Sequence, residues 1–212
     1  MQEIALPNAE QLDRIIALMG GDTGIYGVRW NKLEDELIRV MDAKNLEQPD
    51  FDSIYPWAGM RRCIVDNDVN VVAYYGDPNY VEDGSIGQVM VEIPKFYYRA
   101  FKTSKGYQWE ISPEPKTGFA IHPAFITARG VVDYIYFSAY EGSVFDVSEN
   151  VYLYEDEQIA DFSTDMLSSV ANTKPCSGET QLLTIVNSRR LANNRGVRWL
   201  QQDFTSSSAI QL

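Results

Sequence analysis

One histidine, His122, and two widely separated cysteines, Cys63 and Cys176, are the chain's whole supply of imidazole and thiol. That excludes a histidine-rich zinc site, and the spacing is not that of structural zinc ligands. His122-Pro123-Ala124-Phe125 reads as a packed or hydrogen-bonded corner. Asp133 and Ser138 follow it, but strand alternation does not gather a nucleophile, a base and an orienting group. The sequence has no phosphate loop ending in Gly-Lys-Ser or Gly-Lys-Thr, no dinucleotide fingerprint and no serine nucleophile elbow.

Carboxylates are abundant and correspondingly uninformative. Asp66, Asp68 and Asn70 alternate as calcium ligands would, yet Val71 stands where an EF-hand loop needs its turning glycine, so a solvated hairpin is the simpler reading. Asp77, Asn79, Glu82 and Asp83 fall in one loop and could approach one another. Among 30 acidic residues, a glycosidase pair cannot be singled out. No metal or cofactor is expected. The sharper signal is aromatic: Trp57, Tyr74, Tyr75 and Tyr80 combine flat apolar surface with polar reach, and Asp77, Glu82 and Asp83 add acceptors beside them. These seven residues form the candidate ligand-binding set, with sheet-edge packing as the plainer alternative. Tyr97, Tyr98, Trp109, Tyr134, Tyr136 and Trp199 read as core or sheet-flanking anchors.

Composition narrows the partners. With 18 basic and 30 acidic residues the formal charge is -12, which repels a phosphate backbone, so nucleic acid is not an expected partner. No apolar run is long enough to cross a membrane and no secretory signal follows Met1, so synthesis in a host cytoplasm and no membrane insertion are expected. The two cysteines are expected as free, largely buried thiols. The 212 residues can bury a full core.

Asn8 can cap a helix carrying Leu12, Ile15, Ile16 and Met19, and Leu33 to Met41 suits a second short helix or an irregular arm. Residues 1–49 are therefore taken as a helical attachment or junction segment, and 50–212 as a β-rich recognition domain. Cys63–Val65 and Val69–Tyr75 form an expected hairpin about Asp66-Asn67-Asp68. Residues 76–87 are loop. Val89–Ile93 and Phe96–Phe101 are strands, with a bulge or edge at Pro94-Lys95. Tyr107–Ile111 pairs back as a second hairpin. Val131–Ala139 is another extended run, and residues 141–177 form a long polar excursion, holding a small hairpin near Val151–Tyr154. Leu182 to Leu191 suggests a helix capped near Asn194 and Gly196, and a last helix starts near Asp203. The fold class expected is α+β, hairpin-rich with short flanking helices.

Several stretches carry a resemblance in order: Tyr55-Pro56-Trp57 with Met60-Arg61-Arg62-Cys63; Ala73-Tyr74-Tyr75-Gly76-Asp77-Pro78; Val89 to Tyr98; His122 to Phe125; Asp133-Tyr134-Ile135-Tyr136; Ala139-Tyr140-Glu141-Gly142; and Asn194-Arg195-Gly196 with Trp199, Asp203 and Phe204. Together they resemble tail-fibre, adhesin or receptor-binding proteins of tailed phages and prophages, over about Tyr55 to Leu212. The resemblance implies a C-type-lectin-like scaffold and a non-catalytic virion protein that recognises a bacterial surface glycan or protein. It further implies contacts with other phage structural proteins and a homotrimer, for which the sequence has no helical zipper of its own. A purely structural head or tail component and a surface-polysaccharide hydrolase are the alternatives.

Overall fold

The computed structural model describes residues 22–178 and 180–212. The helix expected over Leu12 to Met19 lies outside the described residues. The described chain is a mixed α+β fold of antiparallel sheets and short helices, gathered into two compact units. Of the described residues, the first holds 22–59, Pro94–Ile135 and Phe204–Leu212; the second holds Met60–Ile93 and Tyr136–Asp203. In chain order the strands are β1 (Tyr26–Asn31), β2 (Glu36–Met41), β3 (Arg61–Val65), β4 (Val71–Tyr74), β5 (Gln88–Pro94), β6 (Tyr97–Lys102) and β7 (Gly106–Ser112). They continue as β8 (Ala120–Ile121), β9 (Ile126–Thr127), β10 (Gly130–Val131), β11 (Tyr134–Ser138), β12 (Ser143–Asp146), β13 (Val151–Tyr152) and β14 (Met166–Ser168). The helices are α1 (Ile185–Arg195) and α2 (Phe204–Gln211).

The first unit is built on a sheet of order β2-β1-β7-β6-β8. Residues 33–41 depart from the helical expectation. Leu33 and Leu37 are one helical turn apart, but at 83% and 68% exposure they offer no core stripe for a helix to bury. The β-branched Ile38 and Val40 instead pair across to Arg29 and Gly27, and tertiary pairing overrides local spacing. The β6–β7 hairpin forms as expected. Glycine at 106 lets β1 lie close alongside, since a Cβ there would stand 2.0 Å from the Trp30 carbonyl oxygen. Phe96 and Phe125 are fully buried and meet edge to face at 5.4 Å, each contributing about 2 kcal/mol of burial.

The second unit carries a sheet of order β11-β5-β3-β4. The β3–β4 hairpin turns where expected, and the Asp66 carboxylate closes it by accepting from the Asp68 and Asn70 amides at 2.9 and 2.8 Å. Those bonds hold Val69 at φ 62°, a conformation that a β-branched residue otherwise resists. Pro94-Lys95 is not a bulge within one sheet: β5 and β6 belong to different sheets, and proline, with no N–H to give, ends the ladder.

Residues 141–177 also depart from expectation. They contain a three-stranded sheet, β13-β12-β14, rather than a largely irregular excursion. Val144, Leu153, Ala160 and Leu191 form its core with Phe162 and Leu183 against them. Strands of two to four residues leave too few alternations to be read locally. Helix α1 ends at Gly196 as expected, but starts at Ile185, because Leu182 sits at φ 56° and Thr184 accepts from the Asn187 amide as cap.

Candidate functional site

The candidate site is the β11-β5-β3-β4 sheet of the second unit, where β3 sends Arg61, Cys63 and Val65 to one face and Arg62 and Ile64 to the other. Two clusters follow from that alternation. Cys63, Val65 and Met90 pack with Tyr74, Tyr136 and Trp199; Ile64, Ala73 and Val89 pack with Tyr80, Ala139 and Tyr140. Each face carries one glutamate, one arginine and two tyrosine hydroxyls.

On the first face, antiparallel pairing sets Arg61 opposite Glu92. The guanidinium donates to the Glu92 carboxylate at 2.7 and 3.2 Å, and the hydroxyls of Tyr74 and Tyr136 reach it at 3.2 Å each. Arg61 also lies over the Tyr74 ring, 3.8 Å from its centroid. The Glu92 side chain is only 3% exposed, so these donors replace the water it has lost. Burial, and then the Glu92 charge, push the Cys63 thiol up to about 11 and the Tyr136 phenol far above its ordinary range. At neutral pH both keep their protons, and a protonated thiol is a poor nucleophile.

On the second face, Glu82 accepts from Tyr140 at 2.5 Å and Tyr80 at 2.6 Å, and pairs with Arg62 at 3.3 Å. The Tyr140 and Tyr80 hydroxyls hold its carboxyl below the usual range. The Tyr80 phenol is in turn pushed far up, first by burial and then by Glu82. Tyr80 meets Tyr75 edge to face at 5.5 Å, and the Tyr75 ring is 72% exposed. The chemistry available here is an open aromatic plane on a fixed polar support.

Of the seven residues singled out from sequence, Tyr75, Tyr80 and Glu82 come together on this face, joined by Arg62 and Tyr140. Tyr74 belongs to the Glu92 network. The Asp77 carboxylate accepts from the Tyr74 amide, and Asp83 accepts from the amide and hydroxyl of Ser85, so both stabilise their own turns. Trp57 lies in the first unit, edge-on to Tyr26 and Phe51 at 5.5 and 4.6 Å. Sequence reasoning did not place Glu92, Arg62 or Tyr140 in the site; the adjacent Arg61 and Arg62 read there only as surface or salt-bridging residues, and both do form ion pairs.

His122 is buried in the first unit, and its protonation pattern can be followed bond by bond. Nδ1 accepts from the Ala124 amide at 3.3 Å, so the proton of the neutral ring resides on Nε2, 3.2 Å from Ser208 Oγ. The Ser208 hydroxyl donates onward to the Thr205 carbonyl at 2.7 Å. The imidazole N–H thus donates a hydrogen bond to the serine oxygen, whereas a general base would accept one from it. Burial keeps its pKa below the ordinary value. The expected corner is present, with Phe96 and Tyr98 against the ring.

Cys63 and Cys176 are both free. Among the described residues no cluster of three His, Cys, Asp or Glu is placed to hold a metal ion, and no helix is long and apolar enough to cross a membrane. Comparison of the chain with protein-family patterns, characterised proteins and solved structures gives no match.

Proposed function

We propose that the chain is a non-catalytic recognition module at the surface of a tailed-phage particle, binding a bacterial surface glycan through the Tyr75 face of the second unit. The observation that carries this reading is an open Tyr75 ring braced by Tyr80, whose hydroxyl is tied to a Glu82 carboxylate held by two further residues. A rigid aromatic plane stacks on the apolar face of a sugar ring at little entropic cost, and neighbouring polar groups select its hydroxyls. Glu92 and Glu82 stand on opposite faces of the sheet, so they cannot flank one glycosidic bond as a hydrolytic pair. The particle context, the C-type-lectin-like scaffold and the particle-protein partners rest on the sequence resemblance over Tyr55 to Leu212.

The test is binding of the labelled chain to bacterial cells. Tyr75→Ala is expected to abolish it with only a small shift of the unfolding midpoint, because the ring is largely exposed and its contact with Tyr80 is edge to face. Full binding by a Tyr75→Ala/Tyr80→Phe double variant would overturn the assignment of this face. A purely structural role in the particle draws on other residues: Val197 and Leu200 are apolar and largely exposed in the second unit, as Leu33 and Leu37 are in the first. Density of an intact particle with those residues covered by neighbouring chains and Tyr75 enclosed would favour that role.

A further inference from the structure

The first unit holds a depression of about 150 Å³, lined by Tyr26, Arg39, Phe51, Trp57, Trp109 and Ile111 among others. It is built from two directions. Val28 and Trp109 are cross-strand partners on β1 and β7, and strand alternation places Tyr26, Arg39 and Ile111 on the same sheet face. Above that face the 3-10 helix Gln48–Ser53, whose Asp50 carboxylate accepts from the Glu47 amide at 2.7 Å, brings Phe51 edge to face against Trp57 at 4.6 Å. A volume near 150 Å³ accommodates a six-membered ring.

Among the described residues Arg39 is the only charged side chain in the lining, which Leu212 also borders. Its guanidinium lies over Phe51 at 5.3 Å and gives one N–H to the Leu46 carbonyl. Among the described residues it has no ion-pair partner. The remaining donors form a planar fork matched to a carboxylate. The chain's net charge of -12 does not forbid an anion here, because exposed charges are largely screened beyond about 8 Å at physiological ionic strength and the local guanidinium decides. A wholly apolar ligand would leave that fork unused, and a cationic one would meet it.

We propose that this depression is a subsite for a carboxylate-bearing sugar ring, stacked on Trp57 and Trp109 with its carboxylate on Arg39. The ligand class rests on the glycan-recognition reading, but the site and its residues are separate from those of the Tyr75 face. Uronic-acid units are the chemical class that combines a pyranose ring with such a carboxylate.

The full chain is titrated with a glucuronate-containing disaccharide and with the same disaccharide carboxyl-reduced to the neutral alcohol, following the four tryptophan indole N–H signals by NMR. The acidic sugar is expected to shift Trp57 and Trp109, to leave Trp199 unmoved, and to bind at least roughly tenfold more tightly than the neutral one. Arg39→Gln removes that preference; should it fail to fold, the two sugars on the parent chain still decide. Equal binding of the two sugars, or no shift of Trp57 and Trp109 at millimolar sugar, overturns the proposal. Tyr75→Ala leaves this titration unchanged while abolishing cell binding, so failure of one site reads separately from failure of the other.

Discussion

The two glutamates of the second unit are partnered by the same kinds of group and set at different depths. Glu92 has Arg61, Tyr74 and Tyr136; Glu82 has Arg62, Tyr80 and Tyr140, and in each case the guanidinium also lies over one of the tyrosine rings. Yet the Glu92 side chain is 3% exposed on a central strand, and Glu82 is 24% exposed on a loop. Successive residues of β3 supply the two arginines, so a single strand organises opposite faces. The difference teaches that the same hydrogen-bond chemistry fixes the sheet where water is excluded and braces a surface where water competes.

Stability should separate the faces most strongly at the arginines. Arg61→Ala leaves a buried carboxylate without its counter-charge, and because the guanidinium itself is half-exposed and two hydroxyls remain, the expected loss by urea unfolding is about 2 to 3 kcal/mol. Arg62→Ala, with solvent able to reach Glu82, should lose under about 1 kcal/mol. Equal losses would abolish the distinction. The next largest contrast is at the phenols: Tyr136→Phe removes a hydrogen bond to a buried charge and should lose about 1.5 to 2 kcal/mol, and Tyr140→Phe, whose hydroxyl lies at the surface, should lose clearly less. A larger loss at Tyr140 would mean that the second face is the true structural core.

The hairpins were legible in the sequence because their information is local. Asp66-Asn67-Asp68 marks the β3–β4 turn through a carboxylate and amides within four residues of each other. Tyr80 and Glu82 were found together for the same reason, being two positions apart. The networks that complete each face were not legible, because Tyr136 and Tyr140 reach their glutamates from 44 and 58 residues away. Which face each tyrosine occupies depends on how β11 lies beside β5, a tertiary fact with no local signature. Trp57 shows the converse: its aromatic neighbourhood was expected, but its companions are Tyr26 and Phe51 instead of the tyrosines of residues 74–80.

The smallest expected effect distinguishes the faces by pH. The folded pKa of Glu82 lies below the ordinary value of 4.5, so its network contributes stability above that pH and loses it as pH falls toward the folded value. Cys63 behaves oppositely: its folded pKa of about 11 exceeds the ordinary 9.0, so its contribution is complete below pH 9 and is lost as pH rises toward 11. Tyrosines on both faces add alkaline losses only from their ordinary value of 10 upward, which leaves the interval from pH 9 to 10 to the two thiols, Cys63 and Cys176, both raised by burial. Unfolding free energy measured across pH should therefore fall less steeply below pH 4.5 in Glu82→Gln, where aspartates with lowered pKa keep part of the acid limb, and less steeply between pH 9 and 10 in Cys63→Ala, where Cys176 keeps part of the alkaline one. If Glu82→Gln instead altered the alkaline limb alone, its carboxylate would not be the group that the tyrosine hydroxyls stabilise.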